Sequence, residues 1–249
     1  LAALPLKVGR APDYVPSIAA DKIAALHVVY AILAALMRRE RTGEGCDIEV
    51  PMFETMLSMI LADHMGGLTF EPALDKGGYA RHLSPDRRPY QTKDGYICAL
   101  VYTDGHWERF FRALGCPEMP AADPRFADFN ARMAHIDEVY AELGRILLTR
   151  TTAEWLDLFD RADVPVMPMH SFESVLEDPH LNATGFFQSV EHPTEGPIRQ
   201  MSVPARFSRS QVRPERLAPR LGVYGTGRRR SWTPAAPAGA QLGRVPYRP

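Results

Sequence analysis

Asp21 stands where a proline-punctuated loop gives way to an apolar helix, in the stretch Ser17-Ile18-Ala19-Ala20-Asp21-Lys22. A carboxylate in the first turn of a helix faces unpaired N–H groups and the positive end of the helix dipole, which favours its ionised form. Held there, an anionic carboxylate can act as a nucleophile and carry a covalent intermediate. The plainer reading is a helix cap, the commonest use of Asp at such a place, with Ser17 as a competing cap one turn earlier. Spacing by itself favours the cap.

Few other residues compete for a chemical role. No Gly-x-Gly-x-x-Gly follows a strand, and neither a Walker motif nor a Gly-x-Ser-x-Gly elbow occurs, so the commonest nucleotide and serine-hydrolase signatures are absent. The eight histidines show no ligand spacing and have no cysteine pair near them, so no metal is expected. His27 and His64 lie on apolar helices and read as satisfied core or interface residues. Cys46, Cys98 and Cys116 are odd in number and far apart, which suits a reducing compartment, the cytoplasm, and offers no disulfide framework. A formal net charge of −1 over 249 residues gives the molecule as a whole no reason to seek nucleic acid or an anionic membrane.

The elements that must position Asp21 follow from periodicity. Residues 1–19 read as a loop with Pro5, Pro12 and Pro16, and no export signal is read in it. The helix from about Ala20 to Arg41 is apolar on nearly all sides, which predicts burial inside a layered structure. Its longest apolar stretch, Ile23 to Met37, is interrupted by His27 and Tyr30 and falls short of the ~20 residues of a membrane span. Cys46 to Met52 reads as a short strand and Phe53 to Met65 as a second helix, an α/β rhythm. Beyond the Gly66-Gly67 break, Lys93-Asp94-Gly95 has the composition of a hairpin turn. Thr103 and the Thr151/Glu154 capping box open helices, and one long helix is expected from Arg125 or Ala131 to Leu148. Val164 to Met169 reads as an extended linker, Ser171 caps a short helix ending near Asp178, and Thr194-Glu195-Gly196 marks a last hairpin.

Several blocks, in order and spacing, carry a resemblance over about residues 10 to 221. They are Ala20-Asp21-Lys22, Arg39-Glu40-Arg41-Thr42-Gly43-Glu44-Gly45, Asp47-Ile48-Glu49-Val50-Pro51-Met52, Asp94-Gly95-Tyr96, Pro165-Val166-Met167-Pro168, Asp178-Pro179-His180-Leu181 and Pro204-Ala205-Arg206-Phe207-Ser208. Together they resemble the class III CoA-transferase family, of the CaiB/BaiF type that includes formyl-CoA transferases. The resemblance implies that Asp21 is a covalent carrier moving CoA from an acyl-CoA to a small carboxylic acid, with the CoA thioester as substrate and no permanently bound cofactor. It implies that Met52 lines the CoA site, although a core gap-filler is an equal reading of that methionine. It also implies that the loop bearing Gly77 and Gly78 approaches the substrate over Asp21.

The fold so implied is α/β: part of a Rossmann-like large domain with a smaller α+β domain inserted, two chains interlocking as a homodimer. The expected divisions are 1–66 for the large domain with the Asp helix, 67–77 as linker and 78–164 as the small domain. A return linker over 165–180, the rest of the large domain over 181–221 and a tail over 222–249 complete them. From Arg216 onward there are seven Arg and no acidic residue, and the tail reads as aberrant, basic and disordered, as a frameshift near Gly222 would produce. The sequence opens without Met inside a loop, and the family's first βαβ units, which bind most of the CoA, have no counterpart in it; a fragment is expected. Two other readings stay open. An acyl-CoA racemase would use Asp as an acid/base, but the related racemases follow their Asp with a Gly-rich run where this sequence has Lys22-Ile23-Ala24-Ala25. A non-catalytic remnant would fold or dimerise without turnover.

Overall fold

The computed structural model describes residues 4–209 and 217–219, so the expected tail over 222–249 lies outside the described residues. The chain divides after Met169 into two compact units.

The first unit opens with a 3-10 turn, Leu4–Val8, and a loop that runs to helix α1, Ala19–Thr42. Gly43 ends α1 in the left-handed conformation (φ 73°), its N–H bonding to Arg39 O at 2.8 Å, the stop that only glycine makes without strain. The burial expected for α1 is not found. Only Ala24 is buried, while Leu26, Val29, Tyr30, Leu33 and Met37 are exposed. The physical reason is a shortage of neighbours: among the described residues the main partner of α1 is α2, Met52–His64, and one helix covers only one stripe of an all-round apolar cylinder. At 24 residues, with a mean hydropathy of 1.6 over its most apolar window, α1 is also long and apolar enough to cross a membrane, contrary to the shorter run read from the sequence.

The strand expected at Cys46 to Met52 does not form; residues 44–51 are irregular. A strand exists by main-chain pairing, and among the described residues no strand lies beside this one. The two sheets among the described residues are antiparallel.

After α2 come a 3-10 turn, Gly66–Thr69, and the one-turn helix α3, Ala80–Leu83. Strands β1 (Tyr90–Gln91) and β2 (Tyr96–Ala99) form the predicted hairpin, Tyr90 opposite Ile97. Asp94 in its turn does more than turn the chain. Its Oδ1 accepts from Thr152 N (2.7 Å), Thr152 Oγ1 (2.9 Å) and Thr92 Oγ1 (3.1 Å), tying the hairpin to a helix start 58 residues away.

Helix α4, Asp104–Ala113, is capped as predicted by Thr103, whose Oγ1 accepts from His106 N at 3.1 Å. After α5 (Met119–Ala122), the expected long helix is two, α6 (Phe129–Ala134) and α7 (Ile136–Leu147), broken where His135 leaves helical geometry (φ −120°, ψ 29°). Thr151 and Glu154 close the capping box of α8, Thr152–Arg161. The extended segment beyond α8 contributes β3, Val166–Pro168, which pairs with β2 as the third strand.

Apart from Ala24, every buried apolar side chain among the described residues lies between Tyr90 and Val164. Val139, Leu143 and Leu147 form one stripe of α7, and Phe110 stacks on Phe159 with centroids 5.4 Å apart. Trp155 is fully buried, and its Nε1 donates to Leu147 O at 2.7 Å, so its one polar atom is satisfied. With roughly 1.5–3 kcal/mol per large side chain taken out of water, this cluster is where the unit's stability resides.

In the second unit, Ser171 Oγ accepts from Ser174 N, but in place of the expected helix the chain makes only a 3-10 turn, Ser174–Glu177. Asp178 then caps a separate helix, α9 (Pro179–Thr184), accepting from Leu181 N at 2.8 Å. Strands β4 (Phe187–His192) and β5 (Gly196–Met201) form the predicted last hairpin, and His192 Nε2 bonds to Ala218 O at 2.7 Å.

Candidate functional site

The site is built on the start of α1. Ile18 occupies the N-cap position and offers no side-chain acceptor, so no side chain caps the helix. Ser17 does not substitute: its Oγ meets Lys22 Nζ at 3.4 Å. Asp21 lies in the first turn, is exposed, and has no hydrogen-bond or ion-pair partner among the described residues. The cap reading of Asp21 therefore fails on geometry. The carboxylate stands free, one turn from N–H groups that no side chain satisfies.

Beside this turn lies an open cavity of about 300 Å³. Tyr14, Ser17, Ala19 and Ala20 form one side of it, and Phe53, Met56, Leu57 and Ile60 on α2 are among the residues that form the other. Those α2 residues recur at i, i+3, i+4 and i+7, the spacing of one helix face. That periodicity was visible in the sequence, but it could not be told there from a core stripe. The cavity is at the lower end of the size that holds a small molecule, and its wall is largely apolar with few polar groups, the usual character of such a site.

Asp21 itself follows the lining residue Ala20 but is not among the residues that line the cavity, and the other predicted residues do not line it either. Met52, the first residue of α2, is 46% exposed and is not among the lining residues. Gly77 and Gly78 both have positive φ, 62° and 99°, and pack against the end of α2, not its beginning. Gly77 N donates to Asp75 Oδ1 (2.6 Å) and Gly78 N to His64 O (2.8 Å), so both amides are engaged within the loop. A Cβ on Gly77 would sit 2.6 Å from His64 O, which explains in packing terms why no side chain is present there. His64 is buried, and its Nδ1 accepts from Tyr79 N at 3.1 Å, a satisfied core histidine. Neighbouring His82 lies 3.8 Å from Asp63, yet burial, then Arg87, holds its imidazole below the usual range. Among the described residues no cluster could hold a metal ion.

Comparison with known proteins supplies what this geometry does not name. Residues 3–223 match the profile of CoA-transferase family III. Formyl-CoA:oxalate CoA-transferases of Escherichia coli and Shigella boydii are 26% identical over 227 residues, covering 82% of this chain and 54% of their own length. A CAIB/BAIF family protein from Brucella suis superposes with a TM-score of 0.63 at 26% identity, covering 87% of this chain and 56% of that one. The Mycobacterium tuberculosis protein Rv3272 in its orthorhombic form shares the fold, with a TM-score of 0.62 at 22% identity over 83% of this chain and 56% of its own. The chain thus spans about half the length of the relatives it matches. With the profile match running across both compact units, the chain belongs to CoA-transferase family III.

Proposed function

We propose that the chain carries the nucleophilic part of a CoA-transferase, with Asp21 passing CoA from an acyl-CoA to a small carboxylic acid. An Asp21 oxygen attacks the thioester carbonyl, the C–S bond breaks, and a mixed anhydride and CoA thiolate result. The thiolate then attacks the aspartyl carbonyl, releasing the first acid and leaving an aspartyl-CoA thioester. An acceptor carboxylate repeats the two steps in reverse and regenerates the free carboxylate. Each step exchanges acyl groups of similar energy, so no ATP is needed, and the covalent species splits one hard transfer into easier ones. The oxyanion needs donors, and the N–H groups of Ala19 and Ala20 in the uncapped first turn are suited to supply them. The loop of Gly77 and Gly78 joins only if it releases the acceptors it now holds. Met52 is assigned to the CoA side of the site on resemblance alone.

The observation that carries this reading is the free, uncapped Asp21 beside an apolar cavity, in a family whose curated relatives are named for CoA transfer. The exposed apolar residues of α1 support the interlocked homodimer in turn, since a second copy would cover them. A cytoplasmic location follows from the same assignment.

Trapping tests it. Incubated with an acyl-CoA and then borohydride or hydroxylamine, the protein should acquire a modification confined to the Asp21 peptide, and the Asp21→Ala variant should acquire none. A modification that persists in Asp21→Ala refutes the assignment. No modification in either protein identifies a non-catalytic chain, and exchange of an α-proton of a 2-methylacyl-CoA with solvent deuterium identifies a racemase.

A further inference from the structure

Four arginines from three elements open on one cavity that shares no lining residue with the cavity beside Asp21. Arg109 and Arg112 come from α4, Arg150 from the turn before α8, and Arg161 from the end of α8; they line a cleft of about 390 Å³ with Leu158 and Asp163. In a chain whose formal net charge is −1, convergence of like charges is unfavourable unless something compensates it. The carboxylates present compensate only in part. Arg161 Nη2 pairs with Asp157 at 2.5 Å, and Arg109 Nη2 lies 3.6 Å from the largely exposed Asp163 carboxylate. Arg112 has no partner among the described residues.

The cleft is also built rigidly. Arg109 Nε donates to Ala162 O (2.9 Å) and its Nη2 to Asp163 O (2.8 Å). Asp163 is the one non-glycine residue with positive φ (51°) among the described residues, and this backbone turns its carbonyl to Arg109. The Arg150 guanidinium lies over the buried Trp155 ring, 5.2 Å from its centroid. Two of the four guanidinium groups are therefore held in place by a carbonyl pair and an aromatic ring, neither of which carries a formal negative charge.

We propose that this cleft binds an organic diphosphate, of the size and charge of a nucleoside diphosphate. Planar guanidinium groups grip phosphate oxygens in pairs, and a concave wall of one charge sign concentrates the field on an anion entering it. The volume exceeds what one phosphate group needs and falls within the range of small-ligand sites, and Leu158 adds apolar wall for the organic part. This inference is independent of CoA transfer at Asp21.

Isothermal titration of the full chain with ADP, inorganic pyrophosphate and adenosine tests it, beside the Arg112→Gln/Arg150→Gln double variant. Both side chains are at the surface or half-buried, so folding is retained, and a thermal melt checks it. ADP should bind, adenosine should not, and the double variant should bind ADP about ten-fold more weakly or worse. Arg145→Gln, whose residue pairs with Glu142 elsewhere, should bind like the wild type. Pyrophosphate binding as tightly as ADP places recognition wholly in the diphosphate; weaker binding adds the organic part. Adenosine binding as well as ADP, ADP binding undiminished in the double variant, or no ADP binding at millimolar concentration overturns the proposal. So does binding of a single-stranded oligonucleotide alone, which would make the cleft a nucleic-acid surface.

Discussion

Replacing Gly77 with alanine should loosen the junction between the end of α2 and the loop after it, and the structure sets the size of the effect. Gly77 has φ 62°, where an L-residue costs roughly 1–2 kcal/mol. The new Cβ would also meet His64 O at 2.6 Å, Met65 O at 3.0 Å and Leu68 Cδ1 at 2.7 Å. Two of these atoms are backbone at the end of a helix and cannot swing aside, so an overpacking cost of about 1–3 kcal/mol adds to the first. The sum is about 2–5 kcal/mol against the closed form of this junction. Hydrogen exchange reads it locally. The Gly78 N–H, bonded to His64 O, and the Tyr79 N–H, bonded to His64 Nδ1, should exchange at least about 30-fold faster in Gly77→Ala. Gly78→Ala is the internal control. Its Cβ would meet only Leu83 Cδ1, at 3.1 Å, a flexible side-chain end, so the conformational cost alone remains, roughly 1–2 kcal/mol. Unchanged exchange in Gly77→Ala, or an equal loss in both variants, would refute the packing argument. Because no substrate is present, the experiment separates this packing role from any role the loop has in catalysis.

Other outcomes concern the first compact unit. Trp155→Ala removes a fully buried indole and its hydrogen bond to Leu147 O, and should lower stability by about 3–5 kcal/mol in urea denaturation. Tyr140→Phe leaves the buried Arg81 Nε without the oxygen it now reaches at 2.7 Å; the expected loss is about 1–3 kcal/mol, and an unchanged urea midpoint would mean that water replaces the hydroxyl. Asp94 has its carboxyl held below the usual range by hydrogen bonds from Thr152 N–H, Thr152 Oγ1 and Thr92 Oγ1. A depressed folded pKa contributes stability above the unfolded value and loses it as pH falls through the folded value. The gap between wild type and Asp94→Ala should therefore be full near neutral pH and close in acid, below the ordinary carboxylate range; a gap independent of pH would contradict the assignment.

Local signals were legible wherever the physics is local. Thr103 and the Thr151/Glu154 box each cap a helix through an oxygen three residues from the N–H it accepts, and Gly43 and Gly115 end helices through a left-handed φ, whereas Asp178, read as a helix end, proves to be a helix start. Tyr90 and Ile97 pair across a turn whose residues announced it. The break at His135 was not legible, because Arg132 and Ile136 on either side are both drawn into buried positions and the helix path bends to place them. Nor was the third strand: Val166–Pro168 reads as a linker until β2 is known to lie beside it. The basic cleft escaped notice for the same reason, since Arg109, Arg112, Arg150 and Arg161 are scattered in sequence and meet only through the packing of α4 on α8.

Asp21 shows where the two kinds of information must be joined. Its residue type and its place in the first turn are local, and from them the cap was the better reading. What removes the cap is the path of the loop, which puts Ile18 at the N-cap and turns Ser17 toward Lys22. The apolar length of α1 poses the complementary question. Leu26, Val29, Tyr30, Leu33 and Met37 are too many exposed large side chains for one surface helix, and a hydrophobic face of that extent is the kind that another polypeptide or a membrane covers. If a second copy of the chain is that cover, light scattering should give a dimer, and Leu33→Glu should yield monomers whose core between Tyr90 and Val164 melts unchanged, since none of those core residues belongs to α1. If Leu33→Glu leaves the mass unaltered, the apolar face of α1 is not where the copies meet.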